Sequence, residues 1–182
     1  MNRDFRIMAT DNITYNSWRF YFRDIAISNK LILHSDTPGM VRFQSSTIDI
    51  FISQTFNLMD PAHDKCILYH IRNTREVKAV QNGVKEDLRL MFFVLNSCEN
   101  GNIESEAEAI DRAERCLNQI LAKFTYDSKN NHPIWDRSMD QLDGIRISPY
   151  EIDGQVRYVG FQVSVQSIQN WNKCYNSNDW NP

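Results

Sequence analysis

The sequence predicts an α+β domain: a mostly antiparallel sheet packed with two main helices, extended by a long loop and a C-terminal arm. Three observations predict it. Two segments repeat apolar residues at helical spacing, several short runs alternate at spacing two between turn signals, and two dense apolar runs are too short for buried helices.

The first helix is expected over about Thr14 to Ile32. Trp18, Tyr21, Phe22 and Ile25 fall at i, i+3, i+4 and i+7 and so share one stripe. Asp11, Asn12 and Thr14 are all acceptable N-caps, and no Gly or Pro interrupts the run. A turn follows at His34 to Gly39, where Ser35, Asp36, Pro38 and Gly39 cluster. Met40 to Phe43 and Thr47 to Ile52 read as a half-buried hairpin, since Ile48, Ile50 and Ile52 alternate with polar neighbours. Asn57 to Lys65 is expected to be a loop.

Cys66 to Ile71 and Leu88 to Leu95 are placed centrally in the sheet. Asn82-Gly83 signals a turn between them, within a ragged linker rather than a two-residue hairpin. A second helix is expected over about Ser105 to Phe124, with Ile110, Ala113, Leu117, Ile120, Leu121 and Phe124 as its buried stripe. Ser105 and Glu108 match a capping box. Glu104, Glu106, Glu108 and Asp111 near the start and Lys123 near the end suit the helix dipole.

Thr125 to Asp143 is polar and loop-like, and a loop of that length is more often functional than idle. Ile145 to Ile152 and Gln155 to Val165 form a hairpin hinged on Asp153-Gly154, a pair that suits a type I′ turn, with Phe161, Val163 and Val165 on one face. The chain divides into one domain over 1–169 and a Trp- and Asn-rich arm over 170–182.

At 182 residues the chain is long enough to bury roughly 70% of its unfolded surface, and 42% hydrophobic with 24% charged residues is an ordinary globular composition. The formal charge of −3 and the scatter of Arg72, Arg75 and Lys78 argue against a grip on nucleic-acid phosphates. Met1 to Arg6 carries no apolar signal region, and no stretch approaches the length of a membrane-spanning helix. Cys66, Cys98, Cys116 and Cys174 lie 32, 18 and 58 positions apart, which fits neither a metal clip nor a compact disulfide framework. They are expected to be reduced apolar fillers.

An enzyme needs a constellation of chemical groups. The six glycines, Gly39, Gly83, Gly101, Gly144, Gly154 and Gly160, are too dispersed for a phosphate-cradling loop. His63, Asp64 and His70 are the best metal candidates, but their spacing gives no shared helical face, and ordinary loop and sheet roles outweigh a ligand role. His34 and His132 are isolated. No local signature surrounds any cysteine, and the carboxylate pairs Asp140/Asp143 and Glu86/Asp87 are explained by surface solvation. The expectation is therefore no catalytic residue, no metal and no cofactor.

Aromatic residues make up 12% of the chain, and aromatic anchors carry much of the energy of protein interfaces. Trp18, Tyr21 and Phe22 at helical spacing read as core. Trp171, Tyr175 and Trp180, in an Asn-rich tail without periodicity, are interface candidates, and so is Trp135 in the long loop.

Taken in order, the helix Tyr21-Phe22-Arg23-Asp24-Ile25-Ala26, the turn at His34-Ser35, the small strands and the run Leu90-Met91-Phe92-Phe93-Val94-Leu95 form one layout. The helix Ala113-Glu114-Arg115-Cys116-Leu117-Asn118-Gln119-Ile120-Leu121 and the closing hairpin complete it. Over roughly Trp18 to Val165 this layout resembles neck and tail-terminator proteins of tailed bacteriophages, with the flavour of phages infecting Bacteroidetes, including the crAss-like group. The resemblance implies a virion component assembled in the host cytoplasm, a homo-oligomeric ring that joins portal to tail or closes the tail tube. DNA would pass through its lumen without specific binding, and mild acidity would keep that channel from sticking. The tail after Asn170 has no counterpart in the resemblance. Two other readings compete: an adaptor or inhibitor bound to a host protein and absent from virions, and a small metal-dependent hydrolase using His63, Asp64 and His70.

Overall fold

The computed structural model describes residues 15–47, 64–80, 83–130, 132, 134, 144–154 and 156–170. Within them the elements run α1 (Tyr15–Ser28), β1 (Phe43–Ser46), β2 (Cys66–Val80), β3 (Gly83–Cys98), α2 (Ile103–Lys129), β4 (Arg146–Ile152) and β5 (Arg157–Asn170). The strands form one sheet in the order β1-β2-β3-β5-β4. Every pair is antiparallel except β1 with β2. The expected α+β class, with two helices on a mostly antiparallel sheet, is what the chain adopts.

Both helices lie on one face. The α1 stripe of Trp18, Tyr21, Phe22 and Ile25 shares a single core with Ala113, Cys116, Leu117, Ile120 and Phe124 of α2, and with Cys66, Leu68, Leu90, Phe92, Val94, Val163 and Val165 of the sheet. Alternation sends the intervening strand residues to the opposite face, where Ile67, Tyr69, Ile71, Phe93, Leu95 and Tyr158 form a second buried cluster. Gly160 lets α2 come close to the sheet. A Cβ there would stand 2.2 Å from the Val94 carbonyl oxygen and 3.2 Å from the Ala113 Cβ.

Several boundaries differ from expectation, each for a local reason. α1 stops at Ser28 instead of Ile32, because the Asn29 side chain accepts a hydrogen bond from the Leu31 N–H at 2.8 Å and draws the chain into a turn. That turn passes through Leu33 at φ 53° and is pinned by the buried Arg42, whose guanidinium donates to the carbonyls of Ile32 and Leu33.

The strand begins at Phe43 rather than Met40 and runs to Ser46, paired in parallel with β2. The residues from Ile48 to Ile52 lie outside the described residues, as do Asn57 to His63. α2 starts two residues earlier than expected because Asn102, not Ser105, is the N-cap: its side chain accepts from the Ser105 N–H at 3.1 Å. Ser105 Oγ in turn accepts from the Glu99 N–H. α2 also runs on through Lys129, so the polar stretch from Thr125 is helical at its start.

Gly154 has no positive φ, and Ile152 pairs with Tyr158, so β4 and β5 are joined by a longer loop rather than a type I′ turn. The expected face of Phe161, Val163 and Val165 does form, against the shared core. Cys66, Cys98 and Cys116 are free and buried, as expected of fillers, and Cys174 lies outside the described residues. A hydrogen bond with the Cys66 thiol, together with burial, pushes the Cys116 thiol far up, which makes it inert.

Candidate functional site

The largest departure from expectation is the length of the central strands. The apolar runs Cys66 to Ile71 and Leu88 to Leu95 are only the inner parts of β2 and β3. Val80 pairs with Gly83, so these strands meet across two residues, and the ragged linker expected there is a continuous hairpin.

Beyond the core, β2, β3 and β5 continue together as a three-stranded blade. At about 3.3 Å per residue, Arg72–Val80 reaches roughly 30 Å. The last buried side chains that the structure describes along these strands are Ile71 in β2, Leu90 in β3 and Val165 in β5. Arg72, Thr74, Glu76, Arg89 and Gln166 are exposed. The register slips by one residue between Ile71 and Thr74, a β-bulge placed where the core ends and the blade begins.

The blade also has open edges. β1 pairs with β2 only as far as Ile71, and β4 pairs with β5 only as far as Ser164. Among the described strands, none continues either edge beyond those points. An exposed edge is a template for pairing with another chain. β4 itself carries Pro149, which blunts its edge, while Ile147 beside it is 46% exposed.

The helix side carries a polar cluster where α1 meets the end of α2. Tyr21 Oη donates to Asp127 at 2.8 Å, Lys123 pairs with the same carboxylate, and the His132 ring lies 5.1 Å from the Tyr21 ring. Burial lowers the pKa of His132, against the pull of Asp127, and burial raises that of Asp24. His132 Nδ1 accepts from the Ile134 N–H, which fixes a neutral ring. A second polar hub lies at the base of the β4–β5 hairpin, where Arg157 pairs with Glu151 at 2.8 Å, Glu106 at 2.5 Å and Asp153 at 3.3 Å. In both hubs the charged groups are ion-paired, so these arrangements clamp elements together.

The sequence-derived candidates distribute as follows. Trp135, Trp171, Tyr175 and Trp180 lie outside the described residues, as do His63, Asp140 and Asp143. Asp64 is exposed and paired with Lys65 at 3.2 Å. His70 is fully buried on the helix face, stacked on Phe22 with ring centroids 4.4 Å apart and bonded to Ser45 Oγ at 2.9 Å. Glu86 and Asp87 are consecutive in β3, in register with Val77 and Glu76 of β2. Among the described residues, no three His, Cys, Asp or Glu side chains converge as metal ligands, and no helix is long and apolar enough to cross a membrane.

The blade went unrecognised in the sequence because Arg72 to Val80 and Val84 to Arg89 mix charged and apolar residues at no fixed period. Its one legible signal was Asn82-Gly83, and the register differs from it by one position, since Gly83 is already paired with Val80. Against known proteins, the chain matches no family model and no curated protein.

Proposed function

We propose that this chain is a non-enzymatic structural protein of a tailed-bacteriophage virion, a subunit of a ring in the neck or tail that joins portal to tail. It acts as connector, tail terminator or tail-completion component, and DNA passes the lumen without specific binding. The blade is the observation that carries this reading. It extends roughly 30 Å past the last described core residues, and no described strand runs along either of its edges. A ribbon without a core of its own is marginal in water and gains stability when it lies against another chain. A heterologous contact of that kind, repeated by rotation, closes a ring. Phe20 and Ile27, seven residues apart on α1 and 56% and 43% exposed, add apolar surface for a neighbour.

The mechanism is mechanical. The helix-covered core holds each subunit rigid, the blade reaches the neighbour, and the ring transmits position between portal and tail. The mass of the purified protein across a range of concentrations, by size exclusion with light scattering, tests this. A closed oligomer of about six or more subunits supports the ring. A monomer throughout, together with absence from purified virions, overturns it in favour of an adaptor that binds a host protein.

A further inference from the structure

The turn that carries the chain from β3 into α2 is tied at its base. The Glu99 N–H donates to Ser105 Oγ at 3.1 Å, and the Asn102 N–H donates to the Glu99 carbonyl at 3.2 Å. Asn102 Nδ2 donates to Glu99 Oε2 at 2.9 Å, and Asn102 Oδ1 accepts from the Ser105 N–H at 3.1 Å. Asn100 and Gly101 form the tip of the turn, and both are exposed. The bonds at the base involve neither the Asn100 side chain nor the Gly101 nitrogen. Gly101 has φ 77°, and a Cβ placed on it would meet nothing within 4 Å.

The side-chain amide of an asparagine is open to attack by the backbone nitrogen of the next residue. Such an attack is intramolecular, so its rate depends on how readily the nitrogen reaches Cγ. Glycine obstructs it least, having no Cβ beside that nitrogen and the widest choice of backbone angles. We propose that Asn100 is a site of spontaneous deamidation, with Gly101 as the attacking residue and water as the co-reactant. The Gly101 nitrogen bonds to Asn100 Cγ and sheds its proton, the Cγ–Nδ2 bond breaks, and the amide leaves as ammonia. One water then opens the cyclic imide. Opening at Cγ gives aspartate. Opening at the main-chain carbonyl carbon gives isoaspartate, in which the chain runs on through Cβ and Cγ. Nothing is oxidised or reduced.

The fold holds back the neighbouring asparagines. Asn96 is fully buried in β3, where Nδ2 donates to the Lys65 carbonyl and Oδ1 accepts from Arg112 at 3.1 Å. Asn102 is followed by the β-branched Ile103, and both atoms of its amide are engaged in the cap.

The two products differ in consequence. Aspartate at position 100 adds a negative charge ahead of the positive end of the α2 dipole, which favours it. Isoaspartate adds a methylene to the main chain inside the loop that Glu99 and Asn102 close, and this pulls Asn102 away from its capping position. Deamidation thus sets an ageing step at the N-cap of α2.

The test incubates the full-length chain at neutral and mildly alkaline pH, folded and in urea. The tryptic peptide 90–112, which carries Asn96, Asn100 and Asn102, is followed by mass spectrometry with fragmentation that distinguishes isoaspartate. Asn82, the other asparagine followed by glycine, falls on the separate peptide 79–85. In the folded chain Asn100 should convert about as fast as in urea, and faster as pH rises, while Asn96 and Asn102 remain amides. An Asn100 that stays an amide in the folded chain overturns the proposal, as does conversion no faster than that of Asn96 or Asn102. Chains carrying isoaspartate at position 100, separated by chromatography, should show an unfolding equilibrium constant roughly fivefold larger than the parent, as a failed N-cap predicts. Asn100→Asp should match the parent. An isoaspartate fraction as stable as Asn100→Asp overturns the link to the cap.

Discussion

Tyr21 and Asp127, 106 positions apart in the chain, meet in a 2.8 Å hydrogen bond that fastens α1 to the end of α2. The carboxylate is buried and also holds Lys123, so the phenol is the partner that links the two helices. Tyr21→Phe should therefore cost about 1.5–3 kcal/mol, the range for a hydrogen bond to a charged group. Urea unfolding should show a lower midpoint with an unchanged slope. A midpoint equal to wild type would mean that Lys123 alone satisfies Asp127.

The close approach at Gly160 makes a sharper prediction. Gly160→Ala should destabilise by about 3 kcal/mol, since the added methyl meets the Val94 carbonyl oxygen at 2.2 Å and the native φ is 153°. Adding Ala113→Gly should not rescue it, because the worst contact is with backbone. Thermal unfolding of the single and double variants checks this, and recovery in the double variant would show that helix packing is the limiting contact.

The sequence points to Ser105 as the cap of α2, and the structure gives that place to Asn102. Asn102→Ala should lose about 1 kcal/mol as the N-cap acceptor is removed, while Asn102→Ser should lose a few tenths. Equal losses in the two variants, read by chemical denaturation, would sink the assignment of Asn102 as the cap.

Two histidines, His34 buried and His132 partly buried, set the direction of the pH dependence. His34 is held neutral, its Nδ1 accepting from the Arg42 N–H, and burial lowers its pKa despite Asp36 beside it. His132 is lowered too, chiefly by burial. For a histidine whose folded pKa is depressed, the unfolded chain binds the proton first. Stability is thus unaffected well above about 6.5 and falls as pH drops from there toward the depressed folded pKa values. Unfolding midpoints should decline between about pH 7 and 5, and His34→Gln with His132→Gln should flatten that decline. A slope unchanged in the double variant would place the effect elsewhere.

The sequence made the helix-covered core readable because its residues obey one period at a time. Trp18, Tyr21, Phe22 and Ile25 on α1, and Ala113, Leu117, Ile120 and Phe124 on α2, are buried where helical spacing put them. Leu90 to Leu95 is central because it is apolar on both faces. What escaped were features set by pairing and side-chain competition. The parallel partner of β1 is fixed by tertiary contact, not by Gln44, Ser45 or Ser46 themselves. The end of α1 depends on which backbone group Asn29 bonds.

The candidate surface was the least legible part. The attention paid to Trp135, Trp171, Tyr175 and Trp180 followed aromatic content, and all four lie outside the described residues. The blade shows no hydrophobic alternation because Arg72, Glu76, Arg89 and Gln166 face solvent.

The bulge between Ile71 and Thr74 separates two regions under different constraints. Inside it, a change of one residue in either strand would turn core side chains outward. Outside it, residues can be added or removed in matched numbers from β2 and β3 without disturbing anything the core needs. The reach of the blade is in that sense a ruler whose length can drift or be engineered independently of the domain that carries it, and the spacing between assembled copies can change while each subunit keeps its fold.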